Sequence, residues 1–116
     1  MKVKRIVSNI PTSNPDDASA FYESIFGLEI VMDHGWIKIF SSGEQMTTQV
    51  SVASEGGSGT PVPDLSIEVD DLDEALKRVN AENIQIEYGP VSEPWGVRRF
   101  YVRDPFGKLI NVLQHE

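Results

Sequence analysis

The sequence predicts an α+β fold made of two copies of one β-α-β-β-β unit. Three observations predict it. Short segments rich in β-branched and aromatic residues are interrupted by just two stretches with helical periodicity. Those two stretches carry the same i, i+3, i+4, i+7 spacing of apolar residues, Ala18, Phe21, Tyr22 and Ile25 in one and Leu72, Ala75, Leu76 and Val79 in the other. Between them lies SEGGSGTPVP, Ser54 to Pro63, with the glycine and proline content of a linker.

Taken in order, Val3 to Ile10 reads as a strand because it is β-branched and ends at Pro11. Asn14 is placed to cap the first helix, with Pro15 at its first position and Asp16 and Asp17 at the positive end of its dipole. Gly27 supplies the left-handed stop. Strands follow over Leu28 to Met32, Trp36 to Ser41 and Met46 to Ala53, joined at Asp33-His34-Gly35 and at Gly43. After the linker the order repeats: a strand Leu65 to Val69, a helix from about Asp71 to Glu82 stopped by Asn83, and strands Ile84 to Val91, Val97 to Val102 and Leu109 to Leu113. The chain therefore reads as one domain of two modules, residues 1–53 and 64–116, joined by residues 54–63.

Charge restricts the partners. A net charge of -8 repels phosphate backbones and anionic lipid, so neither nucleic acid nor membrane is expected. Between Asp64 and Glu93 nine Asp or Glu face two Lys or Arg, so the second module carries most of that charge, chiefly as a solvated helix face and turns. The absence of cysteine removes disulfides, thiolate catalysis and sulfur-bound zinc. MKVKRIVSNI runs into polar residues rather than an apolar core, so no signal peptide or membrane span is read there and a cytoplasmic location is the default. No nucleophile elbow or phosphate-cradling loop is present, and GGSG in the linker lacks the strand-to-helix context a phosphate loop needs.

Four segments together suggest a family: NPDDASAFYESIFGLEI, LSIEVDDLDEAL, RRFYVRDPFGKLINVLQH and the strand before the first of them. They resemble the vicinal oxygen chelate superfamily, which includes glyoxalase I, extradiol dioxygenases and the bleomycin- and fosfomycin-resistance proteins. Asp104-Pro105-Phe106-Gly107 is the most specific element, and its role is architectural: Pro fixes φ, Asp accepts turn amides and Gly takes positive φ. The resemblance implies two cupped mixed sheets facing each other around a cavity, and a homodimer that covers the open sheet edges. It also implies metal ligands on the first and last strands of each module, usually His, Glu, His and Glu. Those positions fall here at Val7, Gln49, Asp64 and Asn111. Val7 offers no donor and two of the others only neutral amides, so the reading is no metal and no cofactor. A slip of one residue in register does not restore a site. His34, in a turn, and His115, near the C-terminus, are read as exposed.

Strand alternation assigns the faces. Arg5, Val7 and Asn9, then Asp64, Ser66 and Glu68, and then Leu109, Asn111 and Leu113 face the cup, as do Thr47, Gln49 and Ser51. Ile6, Ser8 and Ile10, and Leu65, Ile67 and Val69, face the helices. Arg5 and Glu68 are read as bonding within the protein or with solvent, whereas Asp64 and Asn111 are read as contacting a ligand. Trp36 and Trp95 sit at hairpin mouths, where an indole can cover a flat ligand or simply pack; Arg98 can meet a ligand anion or a cross-strand carboxylate.

These features predict metal-independent binding or sequestration of a small organic molecule in the cavity between the modules, with catalysis not required. The alternative is a metal-dependent lyase, isomerase or dioxygenase of the glyoxalase superfamily with non-standard ligands. A third reading is a subunit that uses the fold for assembly alone.

Overall fold

The computed structural model describes residues 1–24, 26–43 and 49–116. Ile25, Met46 and Thr47, assigned above to a helix face, a strand and the cup, lie outside the described residues. The elements run β1 (Val3–Pro11), a 3-10 turn (Pro15–Ala18), α1 (Ser19–Tyr22), β2 (Glu29–Asp33), β3 (Ile37–Ser41), β4 (Gln49–Ala53), β5 (Leu65–Val69), α2 (Leu72–Ala81), β6 (Tyr88–Ser92), β7 (Val97–Arg103) and β8 (Leu109–His115). This is the twofold β-α-β-β-β order, with a mixed sheet in each half. No helix among the described residues is long and apolar enough to cross a membrane.

The chain divides into two compact units, Val7–Val62, and Met1–Ile6 with Pro63–Glu116. The boundary falls inside β1, so six residues assigned to the first module by sequence cluster with the second. Two kinds of bond hold them there. Lys2 N donates to Asp70 Oδ1 at 2.6 Å while its carbonyl accepts from Asp70 N at 3.1 Å, and Arg5 pairs with Glu68.

In the C-terminal unit the strand order is β1-β5-β8-β7-β6. β5 and β8 are parallel, with Ser66 opposite Asn111, and the β6-β7-β8 meander is antiparallel. Alternation puts Leu65, Ile67, Val69, Phe100, Val102, Ile110 and Val112 on one face, where Leu72, Ala75, Leu76 and Val79 of α2 cover them. The helix begins as expected: Asp71 caps it by accepting Glu74 N at 3.0 Å. Leu72 N donates to Gln114 Oε1 at 2.8 Å, which ties the helix start to β8, and Asn83 takes the left-handed stop at φ 55°. The Asp104 turn also forms as read. Asp104 Oδ1 accepts from Phe106 N and Lys108 N at 2.8 and 2.9 Å, and Gly107 has φ 78°.

β6 starts four residues later than the sequence suggested, because Ile84–Glu87 forms no ladder beyond Glu87 N donating to Tyr101 O. Its register then shifts between Tyr88 and Val91, and Gly89 passes so close to β7 that a Cβ there would lie 2.5 Å from Arg99 O. Gly89–Pro90 is cis.

In the N-terminal unit the order is β2-β3-β4-β1, with β1 and β4 parallel and the rest antiparallel. The first helix is shorter than its periodicity suggested. Asn14 makes no side-chain cap, its carbonyl accepts Asp17 N, and Pro15–Ala18 is a 3-10 turn before the single α-helical turn. Tyr22 packs on Phe40 at 5.5 Å between ring centres. So little helix covers little sheet: Ile10, on the helix-side face of β1, remains 39% exposed, and Phe21 and Phe26 are exposed as well. The polar bond on this side is Lys38 Nζ, 2.8 Å from Asp33 and 3.1 Å from Asp16, which raises the lysine pKa and lowers that of Asp33.

Ser54 to Pro63 has linker composition but is folded. Ser54 N donates to Trp36 O, Gly56 N to Thr60 O at 2.8 Å, and the Thr60 hydroxyl to Gly57 O at 2.8 Å, and Gly56, Gly57 and Thr60 are buried. Glycines here serve a tight turn rather than slack.

Candidate functional site

The face of the C-terminal sheet opposite α2 is the cup face, and register builds it. Ser66 stands opposite Asn111, Asn111 opposite Tyr101, and Tyr101 opposite Tyr88, one row across four strands. The next row holds Glu68, Leu113, Arg99 and Val91. Asp64, two residues before Ser66 and bonded to Leu109, falls on the same face as Asn111, as the sequence suggested, and Trp95 meets that face through Arg99.

The polar groups of that surface are engaged with the protein. Asp64 Oδ2 accepts Leu109 N at 2.7 Å, while its own N–H donates to Leu109 O at 2.8 Å. Asn111 is buried; its Nδ2 donates to Ser66 Oγ at 3.1 Å, and its Oδ1 is buried with no hydrogen-bond partner among the described residues. Glu68 Oε1 accepts Arg5 Nε at 2.5 Å and Oε2 lies 2.9 Å from His115 Nδ1. Burial raises the Glu68 pKa, but the bonds to His115 and Arg5 outweigh it and hold the carboxyl below its ordinary value. His115 is half-exposed, as read from sequence, but it is tied to Glu68.

The feature that alternation could have exposed is Arg99. Its side chain is 3% exposed and lies 3.6 Å from Glu93. Its guanidinium carbon is 5.0 Å from the rings of Trp95 and Tyr101 and 5.4 Å from that of Tyr88. Tyr101 Oη bonds the guanidinium at 3.0 Å and Tyr88 Oη donates to Glu93 at 2.5 Å. The result is an aromatic box closed on an internal ion pair. Trp95 thus packs on Arg99 rather than standing clear at a hairpin mouth. Arg98, the arginine singled out by sequence, sits on the other face and pairs with Asp73 of α2 at 2.8 Å. Because Phe100 and Val102 belong under α2, Arg99 and Tyr101 had to face the cup.

The other three residues lie in the N-terminal unit. Val7 is buried at 3% exposure. It shares its strand face with Asn9, and Gln49 shares its own with Ser51; Asn9 and Ser51 are register partners, and the Ser51 hydroxyl donates to Asn9 and to Ser8 O. Gln49 is half-buried at the start of β4. Trp36 falls in the turn before β3, half-buried, with its ring stacked on His34 at 6.3 Å.

The family resemblance implies a divalent metal, and the residues do not fit one. Of the four positions, Val7 has only methyl groups, Gln49 and Asn111 only amides, and Asp64 spends a carboxylate oxygen on a backbone amide. Among the described residues no three His, Cys, Asp or Glu side chains form a group able to hold a metal ion.

Residues 2–112 match the profile of the Glyoxalase/Bleomycin resistance protein/Dioxygenase superfamily. Comparison with functionally curated proteins gives no match. Among solved structures, a Legionella pneumophila chain named NAD-dependent benzaldehyde dehydrogenase superposes with TM-score 0.76 at 15% identity, over 97% of this chain and 100% of that one. A glyoxalase/bleomycin resistance protein/dioxygenase superfamily member from Vibrio splendidus 12B01 does so with TM-score 0.66 at 18% identity, over 99% and 100%. Methylmalonyl-CoA epimerase from Mycobacterium tuberculosis gives TM-score 0.63 at 16% identity, over 98% and 87%. At such identities these likenesses concern the fold. The fold and the profile match over nearly the whole chain agree, and the chain belongs to the Glyoxalase/Bleomycin resistance protein/Dioxygenase superfamily.

Proposed function

We propose that this protein binds a small organic molecule on the cup face without a metal ion and without transforming it. One observation carries the reading: the positions at which relatives are expected to hold a metal are here a valine, two amides and an aspartate bonded to backbone. A cup that keeps the architecture and has no imidazole at any of the four positions suits an organic ligand held by hydrogen bonds and apolar contact. The net charge of -8 favours a neutral or cationic ligand over an anion.

The direct test is calorimetric titration of purified protein with bleomycin, a large cationic glycopeptide, alongside elemental analysis. Binding that survives a chelator, in protein free of stoichiometric metal, is the expected result. One equivalent of Ni, Zn, Fe or Mn per chain, with binding or turnover lost to chelator, would replace this reading by the metal-dependent lyase or dioxygenase one. We further propose a homodimer, on the strength of the uncovered Ile10, Phe21 and Phe26, and a cytoplasmic location, on the strength of a sequence without cysteine.

A further inference from the structure

Asn111 Oδ1 is the one buried acceptor of the cup face that is without a hydrogen-bond partner among the described residues. A buried carbonyl oxygen left unpaired is costly, and native proteins pair nearly all of them. The surroundings say what could pair it. Leu109 and Leu113 flank Asn111 along β8 on the same face, and both are buried. The amide nitrogen donates to Ser66 Oγ, whereas Oδ1 accepts from no described residue. Arg99, the buried cation of this face, is held 3.6 Å from Glu93 and bonded to Tyr101 Oη.

We infer that Asn111 reads an N–H or O–H donor on the ligand, carried by an apolar or aromatic body that lies against Leu109 and Leu113. This rests on the small-molecule reading and narrows it to a chemical class: neutral or cationic amides, amidines and amines, and not carboxylates or phosphates. An anion would set its own lone pairs against Oδ1, and the guanidinium of Arg99 is neutralised by Glu93. Since Oδ1 is out of reach of solvent in the free protein, the ligand must part the side chains over it, which predicts closure around the bound molecule.

Three probes of one shape decide it: benzamidine, benzamide and benzoate, titrated into full-length protein labelled with nitrogen-15. The two donors are expected to shift the Asn111 side-chain amide and the backbone amides of Leu109 and Leu113. They should bind roughly five- to a hundredfold more tightly than benzoate, the range that one hydrogen bond to a buried acceptor supplies. Asn111→Leu, which adds an apolar side chain between two leucines, should erase that preference, and Asn111→Asp should favour benzamidine further. Benzoate binding to the same residues as well as benzamide, or a preference unchanged in Asn111→Leu, overturns the donor inference while small-molecule binding stands. No response to any probe, together with no heat from bleomycin, overturns both.

Discussion

The buried ion pair shows what a single residue does in this molecule. Arg99 and Glu93 are both nearly inaccessible, and each is bonded by a tyrosine hydroxyl. Replacing Arg99 by Met leaves the Glu93 charge buried without its cation, so a loss of about 3–5 kcal/mol is expected in urea unfolding. Adding Glu93→Gln to that variant should return part of it, and a double-mutant cycle reads the coupling. Acid sensitivity sits at the same scale. Glu68, Asp70 and Asp33 all have pKa values held below their ordinary ones, through His115 and Arg5, the Lys2 amide, and Lys38 respectively. Groups depressed on folding contribute stability that is complete above their unfolded values and lost as pH falls through the folded ones. Thermal stability should therefore hold above the ordinary 4.5 of Glu and fall below it, and Glu68→Gln should make that acid limb shallower. The site was half legible at this scale. Asp64 and Asn111 could be placed by alternation alone. Arg98 reads from the sequence as meeting a ligand anion or a surface carboxylate, and it pairs with Asp73; Arg99, one residue on, goes unread, although the alternation that puts Phe100 under α2 turns it to the opposite face.

Elements were legible where local chemistry and packing agree. α2 has an apolar stripe and a left-handed stop that form as the spacing implies, and the structure adds a capping aspartate, Asp71. Asp71→Ala should cost about 1 kcal/mol, with the loss read by circular dichroism melting. The first helix has a similar stripe but no side-chain cap, and it opens as a 3-10 turn. Periodicity states which face is apolar; it does not state how much sheet lies beneath to reward the helix. β6 shows the opposite case, a strand whose start is set by its neighbour. Gly89 has φ 79° and no room for a methyl group against Arg99 O. Gly89→Ala should destabilise by well over ~1 kcal/mol and disturb Tyr88 and Arg99 together, visible as a change in near-ultraviolet dichroism. Sequence reading saw a run of strand-formers there and could not see the close approach.

At the scale of the molecule, three of the exposed apolar residues, Ile10, Phe21 and Phe26, lie on the helix side of the N-terminal unit, while Phe106 is exposed in the Asp104 turn. Light scattering should give twice the chain mass, and Phe21→Ser with Phe26→Ser should shift the protein toward monomer without loss of helix or sheet signal. A monomer in the native sequence at micromolar concentration would remove the homodimer proposal. Whole-molecule organisation was legible as a repeat, because pattern survives where residue identity between the halves does not. The place where one unit ends was not, since β1 is continuous in sequence and only its hydrogen bonds to Asp70 and Glu68 reveal its divided allegiance.

That division has a consequence for how the chain is made. Met1–Ile6 are synthesised well before Pro63–Glu116, the segment with which they cluster. During translation Met1–Ile6 lack their partners in that segment until β5 and Asp70 leave the ribosome, whereas Val7–Val62 already holds all its own strands. Assembly on the ribosome therefore starts from Val7–Val62 and takes up Met1–Ile6 only with the second unit. A bulky fusion placed ahead of Met1 should slow that docking while leaving the folding of Val7–Val62 alone.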